Sequence, residues 1–394
     1  MKPARIMEGV RMMRFRDVFG RHETGALTEL EAAELLGVTD RTFRRWVSRF
    51  EEAGEAGLRD RRIGKRSARA VPALVAAKVE RLYRERYQDF TAKHFFEHLV
   101  EDHGFRWGYT WTKAFLQKRG LLPKAPRRGA HRRKRERRPM VGMMLHQDGS
   151  QHRWIPGLPA EQDLIVTMDD ANSELYSMFL VEEEGTWSSF RGLEDVFLAK
   201  GLPCSLYSDR GSHYFVTPTA GGPVDKEALT QVGRALRQLG IEHIAAYSPE
   251  ARGRSERMFQ TLQGRLPKEL RLAGITTVDA ANRFIAKTFL PKFNRHFMVP
   301  AIDRASAFVK ARPAQWREAL TVQEDRVVDN DNTVNYHALS LQIPKTAGRP
   351  HFVRTKVRVH QYADSTTAIF HGPRCVARFT SDGRPLEEKM PWAA

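Results

Sequence analysis

Cysteine is scarce in this sequence, with only Cys204 and Cys375 among 394 residues. Two thiols cannot form a disulfide framework, and they cannot complete a four-ligand Cys/His zinc site. The scarcity excludes the class of small secreted domains that disulfides hold together. We therefore expect a reducing, cytoplasmic environment.

Long apolar runs are also missing. No stretch approaches the roughly 18 apolar residues of a membrane-spanning helix, and the N-terminal segment lacks the clean apolar region of a secretory signal. The hydrophobic fraction is nevertheless 41%, which is enough for ordinary globular cores. A length of 394 residues predicts two to four domains.

Acidic residues are underrepresented in the first third of the chain. Residues 1–139 carry 34 Lys and Arg against 18 Asp and Glu, whereas residues 140–394 carry 31 against 29. Most of the net charge of +18 is therefore N-terminal. A basic surface of this kind favours a polyanion such as DNA, and hence a nucleoid-associated protein. A merely soluble basic surface, or a ribosome- or membrane-associated protein, is the alternative.

Residues 24–50 have the pattern of a helix-turn-helix. Thr28 and Glu31 have the spacing of a capping box, and Gly37 supplies the turn. The second predicted helix, residues 41–50, hides its aromatic residues and presents four arginines, Arg41, Arg44, Arg45 and Arg49. A basic second helix suits the major groove of DNA, although a plain helical hairpin would look similar.

Residues 72–122 predict a second helical module, which we expect to be winged-helix-like. Its three helices cover residues 72–87, 92–101 and 109–119, and Lys113 and Lys118 lie on the last one. The aromatic residues of this module could instead serve only as core. A basic linker follows, and its candidate phosphate contacts are Arg132, Arg133, Lys134 and Arg135. A solvated tether is the other interpretation of the linker.

Strand-like and helical segments alternate over residues 140–300, which predicts a mixed α/β domain. One of its helices is predicted to run from Asp225 to Leu239. Short strands and turns over residues 320–380 predict a small all-β, barrel-like domain. The predicted domains are a helix-turn-helix (1–62), a second helical domain (63–123), the linker (124–139), an α/β core (140–305) and the β domain (320–382).

Three carboxylates stand at suggestive places in the α/β core. Asp148 lies on its first strand, Asp209 follows a later strand, and Glu256 lies inside the helix predicted from Ser248-Pro249 to Leu272. Carboxylates converging from such elements can hold two Mg²⁺ ions, which suits phosphoryl transfer on DNA. Glycine after Asp148 and after Arg210 permits close approach of backbone or DNA.

The segments MLHQDGS, LIVTMDDAN, LYSDRGSHY and IEHIAAYSPEARGRSERMFQTLQGRL resemble the integrase-type core of bacterial insertion-sequence transposases, especially the ISNCY group. The resemblance covers residues 24 to about 300. It implies an RNase H-like fold, a D-D-E triad at Asp148, Asp209 and Glu256, Mg²⁺ (with Mn²⁺ as a substitute), and strand transfer by a 3′-hydroxyl. Forty-six residues separate Asp209 from Glu256, more than such cores usually have, and the loop at residues 216–223 accounts for the excess.

Other polar residues compete with this assignment. Asp169 and Asp170 are interpreted as strand-end and turn residues, because adjacent strand residues point to opposite faces. Glu250 rivals Glu256, but it stands where a glutamate often only stabilises the helix dipole. Arg254 and Arg257 flank Glu256 and are candidate DNA contacts or simple charge balance. His94 and His98 have zinc-like spacing, but without a third ligand they are interpreted as a helix-surface pair.

Together these features predict a DDE transposase that binds its element ends and target DNA, as a homo-oligomer on that DNA. Two alternatives remain open at this point. One is a DNA-binding repressor or architectural protein that has lost catalysis. The other is an RNase H-like nuclease that cuts without joining.

Overall fold

The computed structural model describes residues 3–59, 70–124, 136–219, 222–225, 227–247, 249–345 and 349–386. The chain divides into two compact units, residues 1–78 and 79–394. Among the helices in these described ranges, none is long and apolar enough to cross a membrane.

The first unit is a helical bundle. Its helices are α1 (Pro3–Glu23), α2 (Glu29–Leu36), α3 (Asp40–Ala53) and α4 (Glu55–Leu58). The predicted capping box is confirmed, since Thr28 accepts from the Glu31 amide while the Glu31 carboxylate accepts from the Thr28 amide. Phe43 of α3 is fully buried against the aromatic residues of α1, a helix that the sequence pattern did not predict.

The second helical module contains α5 (Ala73–Arg86), α6 (Ala92–Glu101) and α7 (Tyr109–Lys118). The predicted α6 is confirmed, with Thr91 as its N-cap. Residues 70–124 are all described and contain no strand, so the expected wing is not formed. The module is plainly helical, because its aromatic residues pack between the helices, as Tyr83 does against Phe95.

The core is built on a five-stranded sheet with the order β3-β2-β1-β4-β5. Its strands are β1 (Leu145–His152), β2 (Gln162–Asp169), β3 (Leu175–Val181), β4 (Ser205–Ser208) and β5 (Glu242–Ala245). The first three strands pair antiparallel, whereas β4 runs parallel to β1 and β5 parallel to β4. This order and these directions are those of an RNase H-like sheet, which confirms the predicted fold.

Helices cover both faces of the sheet. One face packs against α8 (Thr186–Ala199) and α9 (Gln231–Gln238), with Leu145, Leu193 and Leu236 in its core. The other face packs against α10 (Pro249–Gln263), α11 (Leu266–Leu272), α12 (Val278–Phe284) and α13 (Leu290–Phe297), with a π-helical turn at Ile285–Phe289 between the last two. Side chains alternate along β1, so neighbouring residues of this strand face opposite helical layers.

Two predicted helices are shorter than expected. The helix predicted from Asp225 begins only at Gln231, because Asp225 pairs its backbone with Val216 and Thr230 caps α9 from an extended conformation. The helix predicted to run to Leu272 breaks between α10 and α11. Gly264 and Pro267 explain the break, since glycine weakens a helix and proline donates no backbone hydrogen bond. Ser248, the predicted cap of α10, lies outside the described residues.

The second helical module packs on the core through buried polar contacts. Arg265 makes a two-pronged ion pair with Glu97 of α6, with N–O distances of 2.6 and 3.2 Å. His94 and His98 of α6 are also buried, with only 2% and 4% of their surface exposed, and both contact Glu269 of α11. The interpretation of these histidines as a helix-surface pair was therefore wrong, because α11 covers that face of α6.

The C-terminal region is all-β, as predicted. After α14 (Pro313–Trp316), the strands are β6 (Val322–Val327), β7 (Thr333–Tyr336), β8 (Leu339–Gln342), β9 (Lys356–Gln361), β10 (Thr367–His371) and β11 (Arg374–Phe379). They form a four-stranded sheet, β11-β10-β9-β6, and a β7-β8 hairpin. Val334 and Leu341 of the hairpin share a hydrophobic core with Val359 and Ile369 of the sheet.

Candidate catalytic site and DNA-binding surfaces

Asp148 and Asp209 lie side by side at the centre of the sheet. β1 and β4 pair in parallel, with Leu145 opposite Leu206 and His146 opposite Tyr207. Continuing this register by two residues sets Asp148 opposite Asp209, which directly follows the end of β4. Neighbouring strands are about 4.8 Å apart, so the two aspartates occupy adjacent positions.

The helix that carries Glu256 runs along the same part of β1. At one end, the guanidinium of Arg254 binds the Asp170 carboxylate, which is 2.8 Å from His146 Nε2 on β1. At the other end, Gln263 Nε2 donates to Ser150 Oγ of β1 at 3.1 Å. The nine residue steps from Arg254 to Gln263 span about 13.5 Å along the helix, and the four steps from His146 to Ser150 span about 13 Å along the strand. This segment of α10 therefore matches that segment of β1 in length.

Glu256 lies within that matched span. It stands seven residues before Gln263, on the same stripe of α10, and two residues after Arg254. Its side chain is exposed, whereas the adjacent Ser255 is buried against the core. Asp148 lies on the β1 face that carries His146 and Ser150, since these positions alternate with Gln147 and Gly149. Glu256 is therefore carried by the helix that packs along the strand of Asp148.

A fourth acidic residue, Glu184, adjoins this region, and sequence reasoning missed it. A Cβ on Gly149 would lie 2.1 Å from Glu184 Oε2, so the carboxylate rests directly on the glycine backbone. Glu184 also faces His213, with 3.4 Å between Oε1 and Nε2. The requirement for glycine after Asp148 was the one sequence signal for a close neighbour. It did not identify the neighbour, which comes from the segment before α8.

Negative charge converges around Tyr214. Its hydroxyl donates to Gln147 Oε1 at 3.1 Å, and the side chain is fully buried. Burial raises the pKa of the Tyr214 phenol, and the charges of Glu184, Asp148 and Asp209 raise it further. Carboxylate oxygens are the hard donors that Mg²⁺ prefers, so the donor chemistry of Asp148, Asp209 and Glu256 suits magnesium.

The turn after Asp209 is held from two sides. Asp209 Oδ1 accepts from the Gly211 amide at 2.9 Å, and Arg210 donates to the Gly222 carbonyl at 2.7 Å. Residue 222 belongs to the loop that lengthens the interval between Asp209 and Glu256. The loop at Gly222 therefore contacts the turn that carries Asp209.

Asp169 and Asp170 have the strand-end and turn positions that the sequence indicated, and both are fully buried. Asp169 accepts from the amides of Gly142 and Ala171, each at 2.8 Å. Burial alone would raise the pKa of Asp170. Hydrogen bonds from His146 and the Arg138 amide, with the charge of Arg254, instead hold it well below its usual range. These aspartates are structural supports.

The candidate DNA contacts differ in how exposed they are and in whether other side chains bind them. Arg41, Arg44 and Arg45 are exposed on α3 and Arg49 is half-buried, while Lys113, Lys118 and Arg257 are exposed on α7 and α10. Arg44 pairs with Glu29 and Asp40, and the side chain of Arg254 is only 16% exposed and bound to Asp170. The linker residues Arg132, Arg133, Lys134 and Arg135, like the side chain of Glu250, lie outside what the structure describes.

An RNase H-like sheet with acidic side chains at its centre, joined to a helix-turn-helix unit, defines a DDE-type polynucleotidyl transferase. Comparisons with known proteins give the family. A helix-turn-helix domain family matches residues 30–67. "Putative transposase y4bF" of Sinorhizobium fredii (strain NBRC 101917 / NGR234) is 32% identical over 352 residues, which cover 88% of this chain and 76% of the relative. "Transposase for insertion sequence IS1202" of Streptococcus pneumoniae is 24% identical, over 84% of this chain and 77% of the relative. The chain belongs to the family of insertion-sequence transposases.

Solved structures show weaker similarity. The simian T-cell lymphotropic virus intasome in complex with PP2A regulatory subunit B56 gamma is 16% identical, with a TM-score of 0.33, over 70% of this chain and 91% of that chain. The HTLV-2 integrase catalytic core domain in complex with magnesium, in its dimeric form, is 14% identical with a TM-score of 0.28, over 38% and 88%. The strand order and strand directions of the sheet define the RNase H-like fold of this chain.

Proposed function

We propose that Asp148, Asp209 and Glu256 are the catalytic triad of this transposase, and that they hold two Mg²⁺ ions, for which Mn²⁺ can substitute. The observation that carries the proposal is the alignment of the two aspartates on adjacent strands beside the helix of Glu256. When bound, Mg²⁺ neutralises charge on the attacking and leaving oxygens of a phosphodiester.

The chain's own residues supply orientation at this site. Asp170 binds both Arg254 of α10 and His146 of β1, so it fixes the helix of Glu256 against the strand of Asp148. The Gly211 amide orients the Asp209 carboxylate. Positioning of this kind matters in phosphoryl transfer, where the protein contributes alignment and charge and makes no covalent bond to DNA.

The proposed reaction has two steps. Water attacks the phosphodiester at the element end, and the bond to the 3′-oxygen breaks to release a 3′-hydroxyl. That hydroxyl then attacks a phosphorus of target DNA in line, so that one P–O bond forms as another breaks. Neither step needs a serine or tyrosine nucleophile.

DNA binding is proposed for the two helical modules and the linker. Arg41, Arg45 and Arg49 of α3, with Arg44 once released from its surface ion pairs, are proposed to read the major groove. Such exposed ion pairs hold a side chain only weakly. Lys113 and Lys118 of α7, the linker residues Arg132, Arg133, Lys134 and Arg135, and Arg257 of α10 are proposed to contact phosphates. Arg254 is left out, because its guanidinium supports the fold.

A strand-transfer assay tests the proposed function. The full-length chain is incubated with Mg²⁺, a duplex carrying the element's terminal repeat and a plasmid target. Joined products are expected with the parent chain, and none with Asp209→Asn. Binding without any cutting would indicate a repressor-like protein, whereas cut but unjoined DNA would indicate a nuclease. Further copies of the chain are expected on the DNA, which sedimentation of the complex would measure.

A further inference from the structure

His94, His98 and Glu269 form a buried polar cluster that shares no residue with the proposed triad. The two histidines lie one turn apart on α6, and Glu269 comes from α11. Glu269 Oε1 is 2.6 Å from His94 Nε2 and 2.8 Å from His98 Nε2. One nitrogen from each ring and one carboxylate oxygen therefore converge on a single point, at which all three atoms could bind the same ion.

The hydrogen-bond geometry of His98 is compatible with a metal cation at this point. Its Nδ1 is 2.6 Å from Asp102 Oδ2, while its Nε2 faces Glu269. A neutral imidazole has only one N–H, so satisfying both carboxylates without a metal requires a buried imidazolium. With a cation on Nε2, the neutral ring donates its Nδ1 proton to Asp102. This is the usual environment of a metal-binding histidine, whose second nitrogen is oriented by a carboxylate.

His94 offers its ring in a compatible way. Its Nδ1 is buried and has no hydrogen-bond partner within the described part of the chain, so Nε2 is its interacting nitrogen.

We propose that His94, His98 and Glu269 bind one Zn²⁺ ion. Two imidazoles and a carboxylate are a donor set that suits zinc, and histidines four residues apart on a helix reach one ion. The charges also balance, since the Glu269 and Asp102 carboxylates together neutralise a divalent ion. Glu97, the nearest other acid on α6, is engaged by Arg265, which leaves the fourth position to water.

The geometry requires only a small adjustment. Zinc bonds of about 2.0–2.1 Å in a tetrahedral arrangement separate two ligand atoms by about 3.3 Å. The carboxylate of Glu269 must therefore retract by about half an ångström, which rotation of a long side chain provides.

The ion would join the second helical module to the core. Around it, Arg271 contacts Asp89 at 2.7 Å and Lys292 contacts Glu101 at 2.8 Å, both across the same interface. Zinc at the centre of these contacts would hold α6 on α11 and stabilise the folded chain by mass action. The site is independent of the proposed triad, because none of its ligands is shared.

Metal analysis of the full-length chain tests the proposal. The protein is purified without a polyhistidine tag and carries Asp209→Asn, so that the proposed catalytic site does not retain zinc. After zinc loading and dialysis, we expect one zinc per chain by mass spectrometry and a higher melting temperature. Loading with Co²⁺ should give the visible absorption of a four-coordinate ion. Adding Zn²⁺ should then abolish that absorption, because zinc displaces the cobalt. Substoichiometric zinc without any change in melting temperature would overturn the proposal.

Variants locate the ion. Glu269→Gln keeps the size and an acceptor oxygen of the side chain, and it should lose the zinc, the cobalt spectrum and the zinc-dependent stabilisation. His103→Gln is the matched control, since His103 lies beside the cluster and contacts Tyr87, and it should keep all three. Full zinc content in Glu269→Gln would assign the ion elsewhere and refute the site. If a variant fails to fold, the zinc content and cobalt spectrum of the parent chain still decide the question.

Discussion

Two pairs of aspartates on the same sheet have different surroundings. Asp169 and Asp170 are fully buried and accept hydrogen bonds from backbone amides, with His146 and Arg254 balancing the charge of Asp170. Asp148 and Asp209 stand opposite each other in the register of β1 and β4, and their charges, with that of Glu184, raise the pKa of the buried Tyr214. The first pair therefore has contacts that support the fold, whereas the second pair occupies matching positions on two neighbouring strands. The sequence motif LIVTMDDAN is as conspicuous as LYSDRGSHY, so only the surroundings separate the two roles.

The largest expected effect comes from Asp209→Asn, which should break the catalytic pair. Loss of several kcal/mol of charge stabilisation should lower strand transfer by on the order of a thousandfold or more. The melting temperature should stay unchanged or rise slightly, because removing one of several like charges relieves repulsion. Glu256→Gln should behave in the same way, whereas Glu250→Gln should keep activity. An inactive Glu250→Gln beside an active Glu256→Gln would reverse the assignment of the third ligand.

Asp170→Asn should have the opposite profile, with stability as its main effect. Removing one partner of a buried ion pair costs about 3–5 kcal/mol, because the charge that Asp170 offers to both Arg254 and His146 is lost. Urea unfolding of the full-length chain measures the loss. Asp382→Asn is the control, since Asp382 and Arg384 form an exposed pair whose loss should change stability little. Equal stability of the two variants would contradict the supporting role of Asp170.

The dependence of the unfolding free energy on pH also tests the supporting role of Asp170. The pKa of Asp170 is lower in the folded chain than in the unfolded chain. Its contribution to stability is therefore complete above the unfolded pKa of about 3.9, and it is lost as the pH falls towards the folded pKa. Between about pH 4 and pH 2, unfolding free energy should fall more steeply for the parent chain than for Asp170→Asn, by up to about 1.4 kcal/mol per pH unit. Parallel curves would mean that Asp170 is not the titrating support.

Gly149→Ala tests whether Glu184 belongs with the catalytic acids. The new Cβ would lie 2.1 Å from Glu184 Oε2, so the carboxylate must move, although a flexible side chain can move at little cost in stability. Misplacement by about 1 Å can lower a rate by up to about a hundredfold, so we expect strand transfer to fall ten- to a hundredfold. Glu184→Ala should reproduce the loss. Full activity in both variants would remove Glu184 from the site.

The smallest effect is expected for the arginines of α3, where the preference for element-end DNA is measured. Arg44 pairs with Glu29 and Asp40, whereas Arg45 is exposed beside it. Arg45→Ala should reduce the preference for the element end over random DNA by roughly 1 kcal/mol, if one base contact is lost. Competition binding at fixed salt measures this preference. Arg16→Ala, which breaks an exposed pair with Glu55 in the same unit, should leave it unchanged.

Local signals in the sequence were enough for much of the fold. The capping box at Thr28 and the turn at Gly37 depend only on neighbouring residues, and both were confirmed. The start of α9 was wrong because a tertiary backbone pair, Val216 with Asp225, replaced a helical turn. Contacts between distant segments were beyond sequence reasoning. Glu269 reaches His94 across 175 residues, and no local pattern indicates that pairing.

The same long-range contacts impose an order on folding. Glu97 and Arg265 are 168 residues apart, so their ion pair can form only after most of the core has been synthesised. Closing such long loops is entropically costly and slow compared with forming local helices. Until α11 arrives, the second helical module exposes acidic and imidazole groups that the native fold buries. A fragment that stops at the basic linker would therefore retain the first unit's own core but lack the surface on which α6 completes its structure.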